Sequence, residues 1–406
     1  MSKLANPPPG RRAIPLADLP GELLLDILLR LPPKSVLRCR AVCKAWRRIT
    51  TGRAFLLAHH GRQPSQRLLS FVRDVGSNGG CGTIDLNLLD YCVEAVDFRA
   101  REFRSVVRFT GNDYSRFDED DCPFTVHAAC DGLLLMSYYD SLYVCNPATR
   151  EWASVRPPAL RTHKIAGLYF HGPSGEYRVL SYREDRQTRT NKFFINTVGS
   201  KSTRGIKFGS YSESMRNLLA GGSKSTQFDM PFLSHGKLHW LPHSTPPKNI
   251  LVFDTVAEEF SCLPTPVVTW PVVSLLEMEG TLAVSESQVG TSKVDLWVLQ
   301  DYKSAAWVHK YQIELPAAEI YLIAKHERWT SQVVSADGDV LVDCTDWYAT
   351  GWQLHYDIKG NLLRKFQCNP SLSLTTHILK ESLVPHPFFQ MQQDGSAREP
   401  PFFRGL

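Results

Sequence analysis

Apolar residues follow two different rhythms along this chain. Near the start they recur at helical spacing: Leu23, Ile27 and Leu31 stand four apart, with Leu24 and Leu28 beside them, so nearly half of a helix circumference is apolar. Leu19-Pro20 opens this helix, Pro20 suiting a first helical position where its missing N–H costs nothing. Glu22 and Asp26 lie in the first turns, on the favourable side of the helix dipole, and Pro32-Pro33 stops the element. The pattern predicts a second short helix over Ser35–Val42, with Val36, Leu37 and Cys39 apolar, and a third over Cys43–Thr50 carrying Trp46 and Ile49. Helices of about ten residues are marginal alone in water. So much apolar surface on so small a module calls for a partner.

From residue 66 onward the rhythm becomes the period-2 alternation of half-buried strands, as in Lys237–Leu241. A unit recurs there, a small or polar residue, then Gly, then an apolar strand: Asp131-Gly132-Leu133, His235-Gly236-Lys237, Glu279-Gly280-Thr281 and Asp337-Gly338-Asp339. A second strand follows each, at Leu142–Asn146, Ile250–Asp254, Val294–Val298 and Gln353–Asp357, and three of these lead through a turn to Trp152, Phe260 or Trp307. The glycines suit turns that need positive φ. They stand 104, 44 and 58 residues apart, and the strand pair Ile165–Phe170 with Tyr177–Tyr182 supplies a unit inside the longest gap. Units of about 40–50 residues that cannot bury their faces alone predict propeller blades closing into a ring. Six irregular blades fit this chain, with seven the alternative count.

Composition narrows the class. A chain of 406 residues, 43% hydrophobic and 21% charged, has room for more than one folded domain and is not globally disordered. The net charge of +5 is unevenly spread: residues 1–73 hold fourteen Lys and Arg against Asp18, Glu22 and Asp26, so the rest of the chain is net acidic. A basic module on a mildly acidic body points to an acidic partner for the module. Ten scattered Cys without a C-x-x-C pair, a polar Pro-rich start that does not read as a signal peptide, and no permitted glycosylation sequon together favour cytoplasm and/or nucleus. No apolar run approaches the ~18 residues of a membrane span.

The helical segment reads Leu19-Pro20-x-Glu22-Leu23-x-x-x-Ile27-Leu28-x-x-Leu31-Pro32, then Ser35-Val36-Leu37-Arg38-Cys39-Arg40-x-Val42-Cys43-Lys44-x-Trp46, with Phe55 as a closing aromatic. It resembles the F-box motif of plant F-box proteins. The resemblance implies that Leu19, Pro20, Leu23, Ile27, Leu28, Leu31 and Pro32 meet a Skp-type adaptor, and that Leu37, Val42, Cys43 and Trp46 complete or support that interface. Some of these residues must instead form the module's own core, and the sequence does not partition them. More loosely, Cys130–Leu134 leading to Asn146-Pro147-Ala148-Thr149-Arg150-Glu151-Trp152 resembles the first blade of plant F-box-associated domains. The runs Phe253-Asp254 to Leu263-Pro264 and Leu296–Leu299 to Trp307 resemble later blades.

Candidate chemistry is sparse. Arg38, Arg40, Lys44, Arg47 and Arg48 form a basic cluster, but without the aromatic platforms of single-strand binders they read as a solvated face or as steering toward an acidic adaptor. Cys39 and Cys43 with His59-His60 match no common zinc spacing. Gly221–Ser225 departs from a phosphate loop at Ser223, Asp118–Asp121 lacks the Gly and Glu of a calcium loop, and neither G-x-S-x-G nor H-E-x-x-H occurs. His235 and His239, four apart, are expected on one strand face beside Trp240 in a structural role. No catalytic, cofactor or metal residue is expected.

The expected organisation is a tail at 1–13, a three-helix F-box at 14–60, an F-box-associated β-propeller-like domain at 66–389 and a tail from 390 to 406. The resemblance implies a non-catalytic substrate receptor of a Skp–cullin–F-box ubiquitin ligase, whose β domain holds a protein target. A propeller lectin, for which Trp270, Trp329, Trp347 and Trp352 are candidate stacking residues, and a scaffold acting outside a ligase are the alternatives.

Overall fold

The computed structural model describes residues 20–390 apart from 75–88, 98–101, 112–123, 139–140, 156–162, 186, 188–189, 201, 208–210, 214, 216–218, 220–230, 242–248, 267–271, 325–328, 347–348 and 369–372. The chain divides into two compact units, one holding the residues up to Pro64 together with Glu381–Pro385, the other Ser65–Lys380 and the residues from His386 on.

The first unit is helical: α1 Gly21–Arg30, α2 Pro33–Cys39, α3 Lys44–Thr51 and α4 Arg53–Arg62. Pro20 caps α1 and its carbonyl accepts from the Leu24 N–H at 3.1 Å. Leu31, ahead of Pro32, is extended, as the residue before a proline prefers, and Pro33 then starts α2. The diproline thus ends one helix and begins the next. Three of the helices match the expected ones within a few residues. The fourth, α4, follows α3 across the extended Gly52 and buries Phe55, Leu56 and His59.

The second unit contains six four-stranded antiparallel sheets among its described residues, a six-bladed β-propeller. Blade one begins with β1 Ser65–Asp74, β2 Leu89–Asp97 and β3 Glu102–Gly111. Blades two and three are β4 Phe124–Cys130, β5 Leu133–Tyr138, β6 Ser141–Asn146, β7 Glu151–Val155, and β8 Lys164–His171, β9 Glu176–Asp185, β10 Thr190–Thr197, β11 Thr203–Gly205. Blades four and five are β12 Phe232–Ser234, β13 Lys237–Trp240, β14 Asn249–Asp254, β15 Glu259–Pro264, and β16 Val272–Met278, β17 Thr281–Ser287, β18 Lys293–Asp301, β19 Ala306–Glu314. After α5 Ala317–Ala324, blade six is β20 Thr330–Val333, β21 Val340–Asp346, β22 Ala349–Tyr356 and β23 Leu362–Cys368. Strand β24, Ser373–Lys380, then returns to blade one and pairs antiparallel with β1, and α6 Pro387–Gln390 follows. The segment resembling a first blade is therefore the second sheet in chain order. The true first sheet joins the two ends of the domain.

Three of the four recurring glycines close the expected hairpins, whereas Gly338, also at positive φ, lies in the longer connection between Val333 and Val340. Cys130 pairs with Leu133, Ser234 with Lys237 and Met278 with Thr281, leaving two-residue hairpin turns. Both residues of each turn have positive φ: Asp131 51° and Gly132 84°, His235 49° and Gly236 68°, Glu279 53° and Gly280 73°. That is the geometry whose twist matches a hairpin's. A second turn recurs between the third and fourth strands of four blades. In blade two Asn146 Oδ1 accepts the Ala148 N–H at 3.0 Å, and in blade four Asp254 Oδ1 accepts from Val256 at 2.9 Å and Ala257 at 3.0 Å. Asp301 and Asp357 cap the corresponding turns of blades five and six. Each turn ends in a residue of positive φ: Arg150, Glu258, Ala305 or Gly360.

Apolar side chains pack between neighbouring blades. Leu180 and Phe193 of blade three meet Trp240, Phe253 and Phe260 of blade four, and Leu276 and Leu296 of blade five meet Val340 and Leu354 of blade six. Each fully buried side chain of this size contributes about 1.5–3 kcal/mol. Middle strands are buried on both faces, so β14 reads intermediate at its ends and buried throughout its interior, whereas alternation survives on the first strand β4. Arg67 of β1, fully buried, donates to the carbonyls of Val334 at 3.2 Å and Val333 at 3.5 Å, tying blade one to blade six, and burial lowers its pKa to about 10. Glu258 ties blade four to blade three by accepting from Tyr169 Oη at 2.6 Å and Arg178 Nη1 at 2.7 Å while also pairing with Arg204.

Candidate functional site

In the helical unit the structure partitions the residues that the sequence left together. Leu28 is 1% exposed and joins Leu24, Leu29, Val36, Phe55 and Leu56 in the buried interior. Leu23, at 55%, and Ile27, at 42%, face outward one turn apart on α1. Val42, 65% exposed, lies between α2 and α3, and Pro20, Pro32 and Cys43 are exposed as well. Leu31, Leu37 and Trp46 are half-buried, and Leu19 lies outside the described residues. Among the expected contact residues, Leu28 thus belongs to the core, while Pro20, Leu23, Ile27, Pro32, Val42 and Cys43 remain open to a partner.

Polar contacts fix the frame that presents them. Asp26 of α1 pairs with Arg62 of α4 at 2.7 Å and with Arg30 one turn on at 2.8 Å, and the hydrogen bond from Arg62, foremost, holds its carboxyl below the usual range. Fully buried His59 donates from Nε2 to the Leu31 carbonyl at 2.8 Å, pinning α4 to the end of α1, and burial pushes its pKa down. His60 donates from Nδ1 to the carbonyl of Glu381 at 2.9 Å, bringing the segment Glu381–Pro385 into this unit. The Cys43 thiol caps α3 by accepting the Trp46 N–H at 3.4 Å.

The basic cluster divides. Arg40, partly buried, donates from Nη2 to the Thr50 carbonyl at 2.9 Å and braces α2 against α3. Arg38, Lys44, Arg47 and Arg48 are exposed. The helical unit thus exposes both apolar side chains, Leu23, Ile27 and Val42 among them, and these four cations.

The other sequence candidates fall apart or lie elsewhere. His235 stands in the turn before β13, where its Nε2 donates to the Gly280 carbonyl at 2.7 Å, while His239 is buried within β13 between Phe232 O and Tyr302 Oη. They do not share a strand face, because the two-residue turn ends the strand between them. Trp329 is buried and offers no stacking surface, while Trp352 is half-buried against the core between blades five and six. Trp270, Trp347, Asp118–Asp121 and Gly221–Ser225 lie outside the described residues. Among the described residues no group of three or more His, Cys, Asp or Glu is placed to hold a metal ion, and no helix is long and apolar enough to cross a membrane.

Two family models match. One, described as F-box associated beta propeller domain, covers residues 103–386, and another, described as F-box-like, covers residues 16–58. Among curated relatives from Arabidopsis thaliana, F-box protein At3g07870 is 27% identical over 328 residues, which is 73% of each chain. F-box protein At5g49610 is 25% identical over 313 residues, covering 72% of this chain and 77% of the relative. F-box protein At3g17710 is 22% identical over 383 residues, covering 87% of this chain and 93% of the relative.

Proposed function

Because the chain belongs to the F-box associated beta propeller family, we propose that it is the substrate-recognition subunit of a Skp–cullin–F-box ubiquitin ligase. The observation that carries this reading is the outward pair Leu23 and Ile27, one turn apart on α1 of a module matching the F-box-like family. A small helical unit that leaves five large apolar side chains in water, Leu23, Leu25, Ile27, Val42 and Leu57, gains by burying some of them, and each is worth about 1.5–3 kcal/mol when covered. The exposed Arg38, Lys44, Arg47 and Arg48 of the same module favour an acidic adaptor and speed its encounter.

In this reading the propeller holds a protein target and the chain performs no covalent step. It raises the effective concentration of the target beside the ubiquitin carrier that the cullin brings. In blades two, four and five the turns between first and second strands and between third and fourth strands lie at one end of the sheet and are short. The strand ends that longer stretches of sequence join, Asp74 and Leu89, Gly111 and Phe124, Gly205 and Phe232, stand at the other end. Long connections on a rigid ring are where recognition is usually placed, so the target is assigned to that end, in cytoplasm or nucleus.

The test is retention of a recombinant Skp-type adaptor by the full chain. Wild-type protein is expected to retain it, and Leu23→Asp with Ile27→Asp to lose it at least tenfold, with unchanged circular dichroism because both side chains are already exposed. Failure of the wild type, or undiminished binding by the double variant, would remove this reading.

A further inference from the structure

Strand β24 closes blade one by pairing with β1, and the pairing ends with Ser65 opposite Lys380. The next residue on each line of chain belongs to the helical unit: Pro64 leads back into α4, and Glu381 opens the segment 381–385. That segment is no loose connection. Glu381, Ser382 and Leu383 are buried, with Leu383 at 3% exposure, and the Ser382 hydroxyl accepts the Val384 N–H at 3.2 Å. The carbonyl of Glu381 takes the hydrogen bond from His60, and its charge acts on the buried His59 beside it on α4. His59 in turn holds the end of α1 through Leu31.

We infer that the helical module is discontinuous in sequence, completed by residues 381–385, so that α4 and the α1 surface it supports are stable only while the last strand of the propeller is in place. Taken with the proposed adaptor docking, on which this consequence rests, detaching β24 from blade one switches docking off. The strand that closes the ring delivers the segment, and a module whose four short helices bury little has few contacts to spare.

Amide hydrogen exchange on the full chain tests this. His60→Ala removes one hydrogen bond at a half-buried position, and Leu383→Asp places a charge at a buried one. For His60→Ala, exchange in α1 and α4 is expected to quicken roughly two- to tenfold while β13–β19 are unchanged. For Leu383→Asp, protection is expected to vanish in α1 and α4 and to survive in those same strands. Adaptor retention should fall in both variants. Unchanged protection of α1 and α4 in both would overturn the inference and make 381–385 an idle connection. Should Leu383→Asp lose protection everywhere, His60→Ala alone decides. If wild-type protein retains no adaptor, the docking reading fails while the exchange result still decides whether the module is discontinuous.

Discussion

At the scale of single residues, what distinguishes positions is what lies around them. Gly280 and Gly360 both hold positive φ, 73° and 78°, but a Cβ on Gly280 would enter open space and one on Gly360 would strike the Glu314 carbonyl. Gly280→Ala is expected to cost about 1 kcal/mol, the left-handed penalty alone, and Gly360→Ala about 3 kcal/mol or more. Urea midpoints would measure both, and equal losses would refute the distinction. His239 and His377 offer a second test, since burial lowers each pKa to about 4 against an ordinary 6.5. The unfolded chain takes up these protons near 6.5 and the folded chain only near 4. Stability is therefore intact above about pH 6.5 and falls as the pH drops through that window, by at most roughly 3 kcal/mol for each histidine. Urea midpoints at pH 7 and pH 5 should differ, and His239→Gln should narrow the difference; a flat wild-type profile would contradict it. The same attention to surroundings explains what the sequence left open in the helical unit. Leu23, Ile27 and Leu28 crowd one side of a helical wheel, and only the packing of α4 with Phe55 and Leu56 decides that Leu28 is core.

At the scale of elements, legibility followed local chemistry. Helices α1 to α3 were readable because prolines and four-residue apolar spacing mark them, and the hairpins because Gly in X-Gly turns answers a φ requirement. Helix α4 was not, since Arg53–Arg62 carries an internal Gly61 and buries a histidine as its third inward residue. Alternation misled for middle strands, which have blades on both sides: His239 and Trp240 are both buried although adjacent in β13. Blade one escaped because β24 pairs with a strand at the opposite end of the domain and no turn joins them. Non-local pairing leaves no local signature.

At the scale of the whole molecule, closure is the property to test. Truncation after residue 372 removes β24 and with it the inner strand of blade one and the segment 381–385. A sharp loss of thermal cooperativity is expected by calorimetry, together with a fall in the midpoint of more than about 10 °C, because blades that bury their faces only against neighbours lose an uninterrupted circuit. A midpoint within about 2 °C of wild type would show that the ring does not need its last strand. The recurrent turns carry a different consequence. Positive φ and side-chain caps fix their length at one end of blades two, four and five, while the stretches of sequence that join strand ends at the other side range from two residues after Tyr138 to twenty-six after Gly205. Insertions and deletions in a diverging gene lineage can therefore accumulate at one end without unseating a strand. Paralogues built on this ring can change what they bind by slippage in those connections, leaving the scaffold's register untouched.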